Sequence, residues 1–221
     1  MSESVDNYLK SIYALSATGE SGVSTNALAE RMSTKPSSAT DMLKKLNDRG
    51  LVKHTKYYGV TLTGKGKKAA MQIVRRHRLW ELFLVEKLGF AWDEVHDIAE
   101  QMEHVESNEL VQKLDQYLGY PKYDPHGDPI PDEDGNLPPG RSTIKASDMK
   151  ENDSGKLVAV VDSSSEFLKY LKSVRLSLGS VLTIGEKFSY DNSVQVTTDN
   201  RALNLSETVA ANLLIQPIKK K

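Results

Sequence analysis

The N-terminal fold is decided by residues 24–62, STNALAERMSTKPSSATDMLKKLNDRGLVKHTKYYGVTL. Ser24 is a favourable N-cap residue, and the residues after it predict a short helix that ends near Met32. Pro36 follows a three-residue turn and suits the first position of a second helix, because the N–H that proline lacks has no helical partner there. This second helix is predicted to end near Arg49. The stretch therefore indicates two helices joined by a tight turn.

A two-stranded ribbon is predicted directly after the second helix. Residues 51–53 and 60–62 have the character of short strands, and residues 54–59 form the loop that joins them. Residues 5–17 place their apolar side chains largely on one stripe and predict a helix before the pair. This order of helices, turn and ribbon is the plan of a winged helix-turn-helix domain.

A mainly helical segment is predicted to follow this domain. The periodicity indicates a long helix over residues 65–88, an acidic helix from about Asp93, and a third helix over residues 107–118. Residues 121–139 are rich in proline, glycine and acidic residues and show no periodicity. We therefore expect this last stretch to be a linker that is ordered at its beginning at most.

The C-terminal part has the pattern of a small β domain. Short apolar stretches at residues 157–161, 181–184 and 193–196 predict strands, and a short helix is predicted over residues 165–171. About seventy residues of this kind are typical of a small barrel of SH3-like type. The fold class predicted for the whole chain is mainly α with a small β domain.

Charge is divided sharply along the chain, although the formal net charge is only −1. Residues 31–78 contain 13 lysines and arginines and two acidic residues, whereas residues 79–140 contain 15 acidic residues and three lysines. A basic stretch centred on a helix-turn-helix pattern indicates a polyanion such as DNA as the partner. The acidic stretch has histidines and glutamates at helical spacing, which is typical of a site for a divalent metal.

The residues that contact DNA are expected at the start of the second helix of the turn and in the loop of the ribbon. They are Lys35, Ser37, Ser38, Thr40, Asp41, Lys44, Lys56 and Tyr57. Small hydroxyl side chains allow a close approach, and Asp41 is able to accept a hydrogen bond from a cytosine amine. The alternative is that the lysines only solvate helix surfaces, and that Tyr57 or Tyr58 packs under the ribbon.

Histidine and glutamate recur at helical spacing on two neighbouring predicted helices. His77 and Glu81 are four residues apart and share one face of the long helix. A second stripe on the acidic helix consists of His96, Glu100, Glu103 and His104. Because the chain has no cysteine, a metal would be bound by imidazole and carboxylate, which favour Mn²⁺, Fe²⁺ or Zn²⁺. A solvated helix face is the alternative explanation of any single pair.

Four stretches together resemble the diphtheria-toxin-repressor family of iron- or manganese-dependent bacterial repressors. They are NYLKSIYAL at residues 7–15, VRRHRLWELFL at 74–84, EVHDIAEQMEHVESNEL at 94–110 and DPHGDPIP at 124–131. The resemblance covers essentially the whole chain and implies three domains. These are a winged helix-turn-helix DNA-binding domain at 1–72, a helical metal-binding and dimerisation domain with the proline-rich linker at 73–140, and an SH3-like domain of FeoA type at 141–221.

The resemblance also implies two metal sites. The residues that match the ancillary site are His77, Glu81 and His96. The residues that match the primary, regulatory site are Glu100, Glu103 and His104, with Asn7 at the position from which the first helix adds a ligand. Iron-type members have a cysteine where Glu100 stands, and a hard carboxylate there indicates Mn²⁺. Fe²⁺ is the other metal expected, and Zn²⁺ or Co²⁺ are ions that can bind in vitro.

Several positions depart from the family's pattern or match it loosely. Asn7 offers an uncharged amide oxygen where the family usually has methionine or aspartate. Lys10 stands where some manganese-type members have a glutamate ligand, which makes their second-metal geometry doubtful in this chain. Glu166, close to Ser163, matches the C-terminal ligands of iron-type members only loosely, and a solvated carboxylate is the alternative. His126 is expected to be a turn residue, although its side chain type permits a ligand.

The function expected from these features is that of a metal-dependent repressor of metal-homeostasis genes. The resemblance implies a homodimer, whose two DNA-binding domains would bind a palindromic operator in double-stranded DNA. Metal at the primary site would tie the first helix to the helical domain and so raise the affinity for DNA. We expect a cytoplasmic protein without membrane association, because the chain lacks a long apolar run and a secretory signal.

Two alternatives remain open from the sequence. A winged-helix regulator with a structural metal, or with a different effector, would bind its operator equally well with and without added metal. A metalloenzyme would leave the basic stretch unexplained, and the chain has no HExxH motif, so we do not expect an enzyme. The sequence does not distinguish repression from activation at a given promoter.

Overall fold

Eight α-helices and eight β-strands form in residues 2–16, 22–55 and 58–218, which the computed structural model describes. The helices are α1 Glu3–Ser16, α2 Thr25–Arg31, α3 Pro36–Asp48, α4 Gly64–Leu88, α5 His96–Met102, α6 Asn108–Tyr117, α7 Ser165–Ser173 and α8 Glu207–Asn212. The strands are β1 Val52–Thr55, β2 Gly59–Leu62, β3 Ile144–Lys145, β4 Ser154–Val160, β5 Val181–Lys187, β6 Val194–Thr198, β7 Arg201–Leu205 and β8 Leu213–Pro217.

The elements belong to two units, each with its own hydrophobic core. The N-terminal unit comprises residues 1–80, 99–120 and 130–138. The C-terminal unit comprises residues 81–98, 121–129 and 139–221. The chain therefore crosses from one unit to the other several times, and the residues of a unit are not one continuous stretch.

The predicted winged helix-turn-helix is confirmed in the N-terminal unit. Ser24 caps α2 by accepting a hydrogen bond from the Ala27 amide at 3.1 Å, and Pro36 begins α3. The first three helices share one core, whose fully buried members include Leu9, Ile12, Leu28, Ala39 and Leu46. Because α1 and α3 bury side chains in the same core, we expect a shift of α1 to be transmitted to the helix expected to meet DNA.

Both strands of the ribbon are longer than predicted, and the backbone at Val23 pairs with β2. β1 pairs antiparallel with β2, with Thr55 opposite Gly59, and Val23 exchanges two hydrogen bonds of 2.9 Å with Val60. Gly59 has a φ of +82°, and a Cβ there would lie 2.5 Å from the Val23 carbonyl oxygen. Glycine is therefore required for this close approach. Residues 56–57 of the loop lie outside the described residues.

The later helices agree with the periodicity. α4 begins one residue earlier than predicted and ends as predicted, and α6 is one residue shorter at each end. α5 begins at His96 rather than near Asp93 and ends at Met102, so the prediction that Glu103 and His104 lie on this helix is wrong. Among the described helices, none has an apolar stretch long enough to cross a lipid bilayer.

Residues 121–139 are ordered, so the prediction of a linker there is wrong. The side chains of Asp124 and Asp132 each close a turn by accepting two backbone hydrogen bonds of 2.8–2.9 Å. In the N-terminal unit, the buried side chain of Arg75 on α4 donates to the Pro131 carbonyl at 2.6 Å. Hydrophobic periodicity misses such a segment because aspartate side chains, and not a repeating backbone pattern, order its turns.

The C-terminal unit contains a six-stranded antiparallel sheet with the strand order β3-β8-β4-β5-β6-β7. Side chains from its inner face form the core, among them Leu157, Leu182, Ile184, Val196, Leu213 and Ile215. Asp199 and Asn200, both with positive φ, form the two-residue turn between β6 and β7. Together with the helices of the N-terminal unit, this sheet confirms the predicted fold class, mainly α with a small β domain.

Candidate metal centres and nucleic-acid interface

Polar side chains gather around Glu103 in the N-terminal unit, and we call this group the Glu103 cluster. Its members are Asp6, Asn7, Lys10, Arg76, His77, Glu100, Glu103 and His104, of which Asn7 is included because it follows Asp6 on α1 and the others because they contact one another. Helix α1 contributes the first three, α4 the next two, and α5 with the residues directly after it the last three. Three elements that are distant in sequence therefore bring one set of charged and polar groups together.

Both carboxylate oxygens of the fully buried Glu103 have a partner. Lys10 Nζ lies 2.7 Å from Glu103 Oε1 and 3.5 Å from Glu100 Oε1. His77 Nδ1 lies 2.6 Å from Glu103 Oε2. Burial by itself would raise the pKa of Glu103, but the hydrogen bond from His77 and the charge of Lys10 lower this pKa. Glu103 is therefore kept as a carboxylate.

Arg76 brings a second positive charge to the cluster. Its Nε donates a hydrogen bond to the Glu103 backbone carbonyl at 2.6 Å, and its Nη2 lies 3.4 Å from Asp6 Oδ2. Burial lowers the pKa of Arg76, while the charges of Asp6 and Glu103 act in the opposite direction. His104 Nδ1 lies 3.8 Å from the same Asp6 oxygen. These contacts connect α1 and α4 with the residues that follow α5.

Four possible ligand atoms of the cluster are buried and, within the described residues, have no hydrogen-bond partner. They are Asp6 Oδ1, Asn7 Oδ1 and both ring nitrogens of His104. An unpaired buried polar atom costs roughly 1–3 kcal/mol, and such atoms normally find water or an ion. Amide oxygen, imidazole and the two glutamate carboxylates are donors that suit Mn²⁺ and Fe²⁺. The residues present at this place therefore fit a divalent metal.

The predicted primary ligands Glu100, Glu103 and His104 are neighbours, but their ligand atoms are too far apart to share one ion. In the part of the chain that the structure describes, atoms of Glu100, Glu103 and His104 do not all lie within 4.8 Å of one another. Lys10 and His77 hold the oxygens of Glu103 instead. Binding of a metal by these three residues would therefore require the contacts of Glu103 to change.

A second group of possible ligands, the Glu81 cluster, lies in the C-terminal unit and consists of Glu81, His96, Asp124 and His126. His96 Nδ1 lies 3.4 Å from Glu81 Oε1, and His126 Nδ1 lies 3.7 Å from Glu81 Oε2. Ligand atoms of Glu81, Asp124 and His126 all lie within 4.8 Å of one another, and all three residues are buried. This arrangement of oxygen and nitrogen donors suits a divalent ion.

His126 lies in a turn, as expected, but its side chain is buried. Its Nε2 donates a hydrogen bond to the Trp92 carbonyl at 2.8 Å. Burial would lower the pKa of His126, but the nearby carboxylate of Glu81, the charge of Asp124 and the hydrogen bond to the Trp92 carbonyl raise this pKa to about 9. The imidazole therefore carries a proton at neutral pH when no metal is bound, and a metal ligand must lose that proton.

The other predicted ligands have different surroundings. His77 lies one helical turn before Glu81 on α4, and the predicted ancillary set of these two residues with His96 stays a prediction. Glu166 is exposed in the first turn of α7 and does not belong to the Glu81 cluster. Asp124 was not predicted as a possible ligand, and His126 was expected to be a turn residue whose side chain type permits a ligand. The available signal was the run DPHGD, in which acids flank a histidine in a tight turn.

The first turns of α3 present an exposed polar face. Its exposed members are Lys35, Ser37, Ser38, Thr40, Asp41 and Lys44. The Thr40 hydroxyl donates a hydrogen bond to the Pro36 carbonyl at 2.8 Å, so its oxygen is still able to accept one. Lys56 and Tyr57, which were also predicted to contact DNA, lie outside the described residues.

Most of the chain matches known protein families. Residues 1–60 match the N-terminal DNA-binding domain of iron-dependent repressors, and residues 63–132 match the metal-binding and dimerisation domain of the same proteins. Residues 144–217 match the FeoA domain. The three matches follow one another along the chain in the order expected from the sequence.

Individual proteins show the same similarity. The iron-dependent repressor IdeR of Mycobacterium tuberculosis is 34% identical over 73% of this chain and 72% of its own length. The HTH-type transcriptional regulator MntR of Oceanobacillus iheyensis is 32% identical over 69% of this chain and 97% of its own length. A solved structure of a manganese-dependent transcriptional repressor in complex with manganese is 37% identical, with a TM-score of 0.85 and coverage of 97% of this chain and 100% of that chain.

Proposed function

This chain belongs to the family of iron-dependent repressors and is a metal-dependent, DNA-binding transcriptional repressor of metal-homeostasis genes, and we propose that Mn²⁺ is its activating ion. The chain has no cysteine, and the possible ligands in both clusters are oxygen and imidazole donors. Such donors favour Mn²⁺ over softer ions, with Fe²⁺ as the second candidate. We expect Zn²⁺ and Co²⁺ to bind in vitro.

The activating ion would be held by Asn7, Glu100, Glu103 and His104. The observation that carries this assignment is the burial of Asn7 Oδ1 and both His104 nitrogens without a hydrogen-bond partner among the described residues. When bound, the ion supplies the positive charge that two neighbouring carboxylates need. Asn7 lies on α1, which shares its core with α2 and α3. Fixing Asn7 would therefore also fix the helix that reads DNA.

Metal control of DNA binding would follow from this link between α1 and the ligands near α5. We expect a homodimer, in which two copies of α3 meet the half-sites of a palindromic operator. Only some orientations of the two reading helices fit both half-sites, and holding Asn7 favours those orientations. By linkage, DNA must raise the affinity for metal by the same factor.

The Glu81 cluster is proposed as a second metal site, with Glu81, Asp124 and His126 as ligands. His96 contacts the same Glu81 carboxylate and is a further candidate ligand. The ancillary set predicted from the sequence, which joins His77 to Glu81 and His96, competes with this assignment because both sets use Glu81. Counting the Mn²⁺ ions bound by His77→Ala and His126→Ala variants would distinguish the two sets.

The proposed DNA-contacting residues are those predicted from the sequence, on α3 and in the loop of the ribbon. They are Lys35, Ser37, Ser38, Thr40, Asp41, Lys44, Lys56 and Tyr57. The exposure of the six on and beside α3 supports this assignment. Because its partner is chromosomal DNA, we propose that the protein acts in the cytoplasm.

The test is fluorescence anisotropy of labelled DNA from upstream of this gene and of nearby metal-transporter genes. The full-length protein is first chelated and then titrated with Mn²⁺, anaerobic Fe²⁺ or Zn²⁺ at one fixed salt concentration, because nonspecific binding depends on salt. Scrambled DNA of the same length is the control. We expect specific binding only with metal. Equal specific binding with and without metal would reject activation by metal and indicate another effector.

A further inference from the structure

We propose that Lys10 is a built-in competitor of the activating metal, which occupies the carboxylates of Glu103 and Glu100 and sets the metal concentration at which the repressor responds. This inference rests on the proposed function of the Glu103 cluster. It concerns a residue that offers no ligand atom of its own, because a lysine ammonium has three donors and no lone pair. Lys10 would therefore act by its charge and its position.

The contacts of Lys10 place its charge on the atoms that the metal would need. Its Nζ lies 2.7 Å from Glu103 Oε1 and 3.5 Å from Glu100 Oε1. Glu103 is fully buried, and its carboxylate is costly to keep there without a cation beside it. One lysine thus bridges two of the proposed ligands, at the distances of an ion pair.

Counting charges shows why Lys10 and the metal exclude each other. Asp6, Glu100 and Glu103 together carry three negative charges, Arg76 carries one positive charge, and Asn7 contributes an oxygen without charge. A divalent ion alone therefore balances the two negative charges that remain. With Lys10 still in place the site would have an excess positive charge next to the ion. At about 4 Å and an effective dielectric constant near 20, two unit charges repel by about 4 kcal/mol, and a divalent ion doubles the effect.

Of the two cations Lys10 and Arg76, Lys10 is the one whose side chain is able to move away from the carboxylates. Its side chain is 20% exposed and ends in a flexible four-carbon stem. The Arg76 guanidinium is held by two hydrogen bonds, one to the Glu103 carbonyl and one to Asp6 Oδ2. We therefore expect Lys10 to turn towards solvent when metal binds, while Arg76 stays.

The competition gives α1 two ways of being attached to the residues around α5. Through Lys10, α1 is tied to Glu103 by an ion pair. Through Asn7, the same helix would be tied to the same region by the metal. Since Lys10 and Asn7 lie three residues apart on α1, exchanging one attachment for the other would move the helix rather than release it. A purely stabilising role of Lys10 would predict no effect on the affinity for metal.

The first test compares Mn²⁺ affinities of the full-length parent and Lys10→Met, measured by competition with a fluorescent chelator. Relief of repulsion should tighten Mn²⁺ binding at least about tenfold, and the chelated variant should melt at a lower temperature because Glu103 loses its counter-charge. Lys10→Arg keeps the charge and should bind no tighter than the parent. Lys68→Met is the matched control, since Lys68 pairs with Asp134 on the surface of the same unit, 3.1 Å away.

A second measurement uses the unaltered protein and does not depend on how a variant folds. Lysines are acetylated briefly with and without Mn²⁺, and the modification of Lys10 is quantified by mass spectrometry against that of Lys68. We expect modification of Lys10 to rise at least about threefold with Mn²⁺ as its ammonium moves into solvent, while Lys68 stays constant. Unchanged or reduced modification of Lys10 on metal binding would overturn the displacement.

The outcomes separate this inference from the proposed function. If the parent binds Mn²⁺ but a folded Lys10→Met variant binds it no more tightly, the competition is rejected and the metal site stands. If the parent binds no divalent ion, both ideas fail together. Tighter binding in Lys10→Met, with Lys10→Arg and Lys68→Met like the parent, establishes the competition.

Discussion

The Glu103 cluster and the Glu81 cluster keep a buried carboxylate charged in different ways. Glu103 is balanced mainly by Lys10 and His77, whereas Glu81 faces His126, whose pKa is raised to about 9. A lysine has to move aside for a metal, because it cannot become a ligand while charged. A histidine only has to lose its proton and then binds the metal itself. If both clusters bind metal as proposed, the first should respond chiefly to the concentration of metal, and the second also to pH.

The largest effect is expected when the carboxylate of the first cluster is removed. Glu103→Gln keeps the shape of the side chain but deletes the charge that both Lys10 and a metal require. We expect Mn²⁺-dependent affinity for operator DNA to fall at least about 100-fold, with the dimer intact. Anisotropy and sedimentation measure the two properties. Glu109→Gln, at an exposed position of α6, is the control and should behave like the parent.

The pH dependence of stability tests the second cluster in chelated protein. His126 has a folded-state pKa of about 9, above its ordinary value of 6.5. Its contribution is therefore complete below about pH 6.5 and is lost as the pH rises through 9. We expect the free energy of unfolding to fall by on the order of 2 kcal/mol over this range.

Urea unfolding at several pH values, in the parent and in His126→Gln, measures this contribution. The variant should have a lower free energy of unfolding near pH 6 and a much flatter dependence between pH 6.5 and 9. His54→Gln, at an exposed position of β1, is the control and should keep the slope of the parent. An equal slope in the parent and in His126→Gln would show that His126 is not held in its charged form.

A smaller effect is expected at the DNA surface, where neither cluster should be involved. Lys44→Ala removes one exposed cation of α3. Affinity for operator DNA should fall about fivefold near physiological salt, and the salt dependence of log K should decrease by about one unit. Mn²⁺ affinity in the absence of DNA should not change. A change in metal affinity in this variant would show that α3 and the metal ligands are coupled even without DNA.

Local signals in the sequence were sufficient to predict the winged helix-turn-helix domain. An N-cap serine, a proline at the first helical position and two short strands lie within 40 residues, and each acts on its immediate neighbours. The possible ligands Glu100, Glu103 and His104 were also visible, because their spacing predicts one helical stripe, although α5 ends at Met102 and the last two follow it. The resemblance to metal-dependent repressors added Asn7, which no spacing rule connects to them.

The contacts of these possible ligands could not be predicted, because the contacting residues come from distant parts of the chain. Lys10 and Glu103 are 93 residues apart in sequence yet 2.7 Å apart in space. Asp124 and His126 lie in a segment without periodicity, whose order depends on side-chain hydrogen bonds. A pattern of apolar residues carries no information on such bonds, so these two buried residues were expected to be part of a linker.

The most direct test of the central claim is a count of bound Mn²⁺ by calorimetry in the parent, Glu103→Gln and His126→Gln, all full-length and chelated beforehand. If each cluster binds one ion independently of the other, the parent should bind two ions per chain and each variant one. Only Glu103→Gln should then lose most of the Mn²⁺-dependent affinity for operator DNA. Two ions in all three proteins, or none in the parent, would contradict the assignment of these clusters as metal sites.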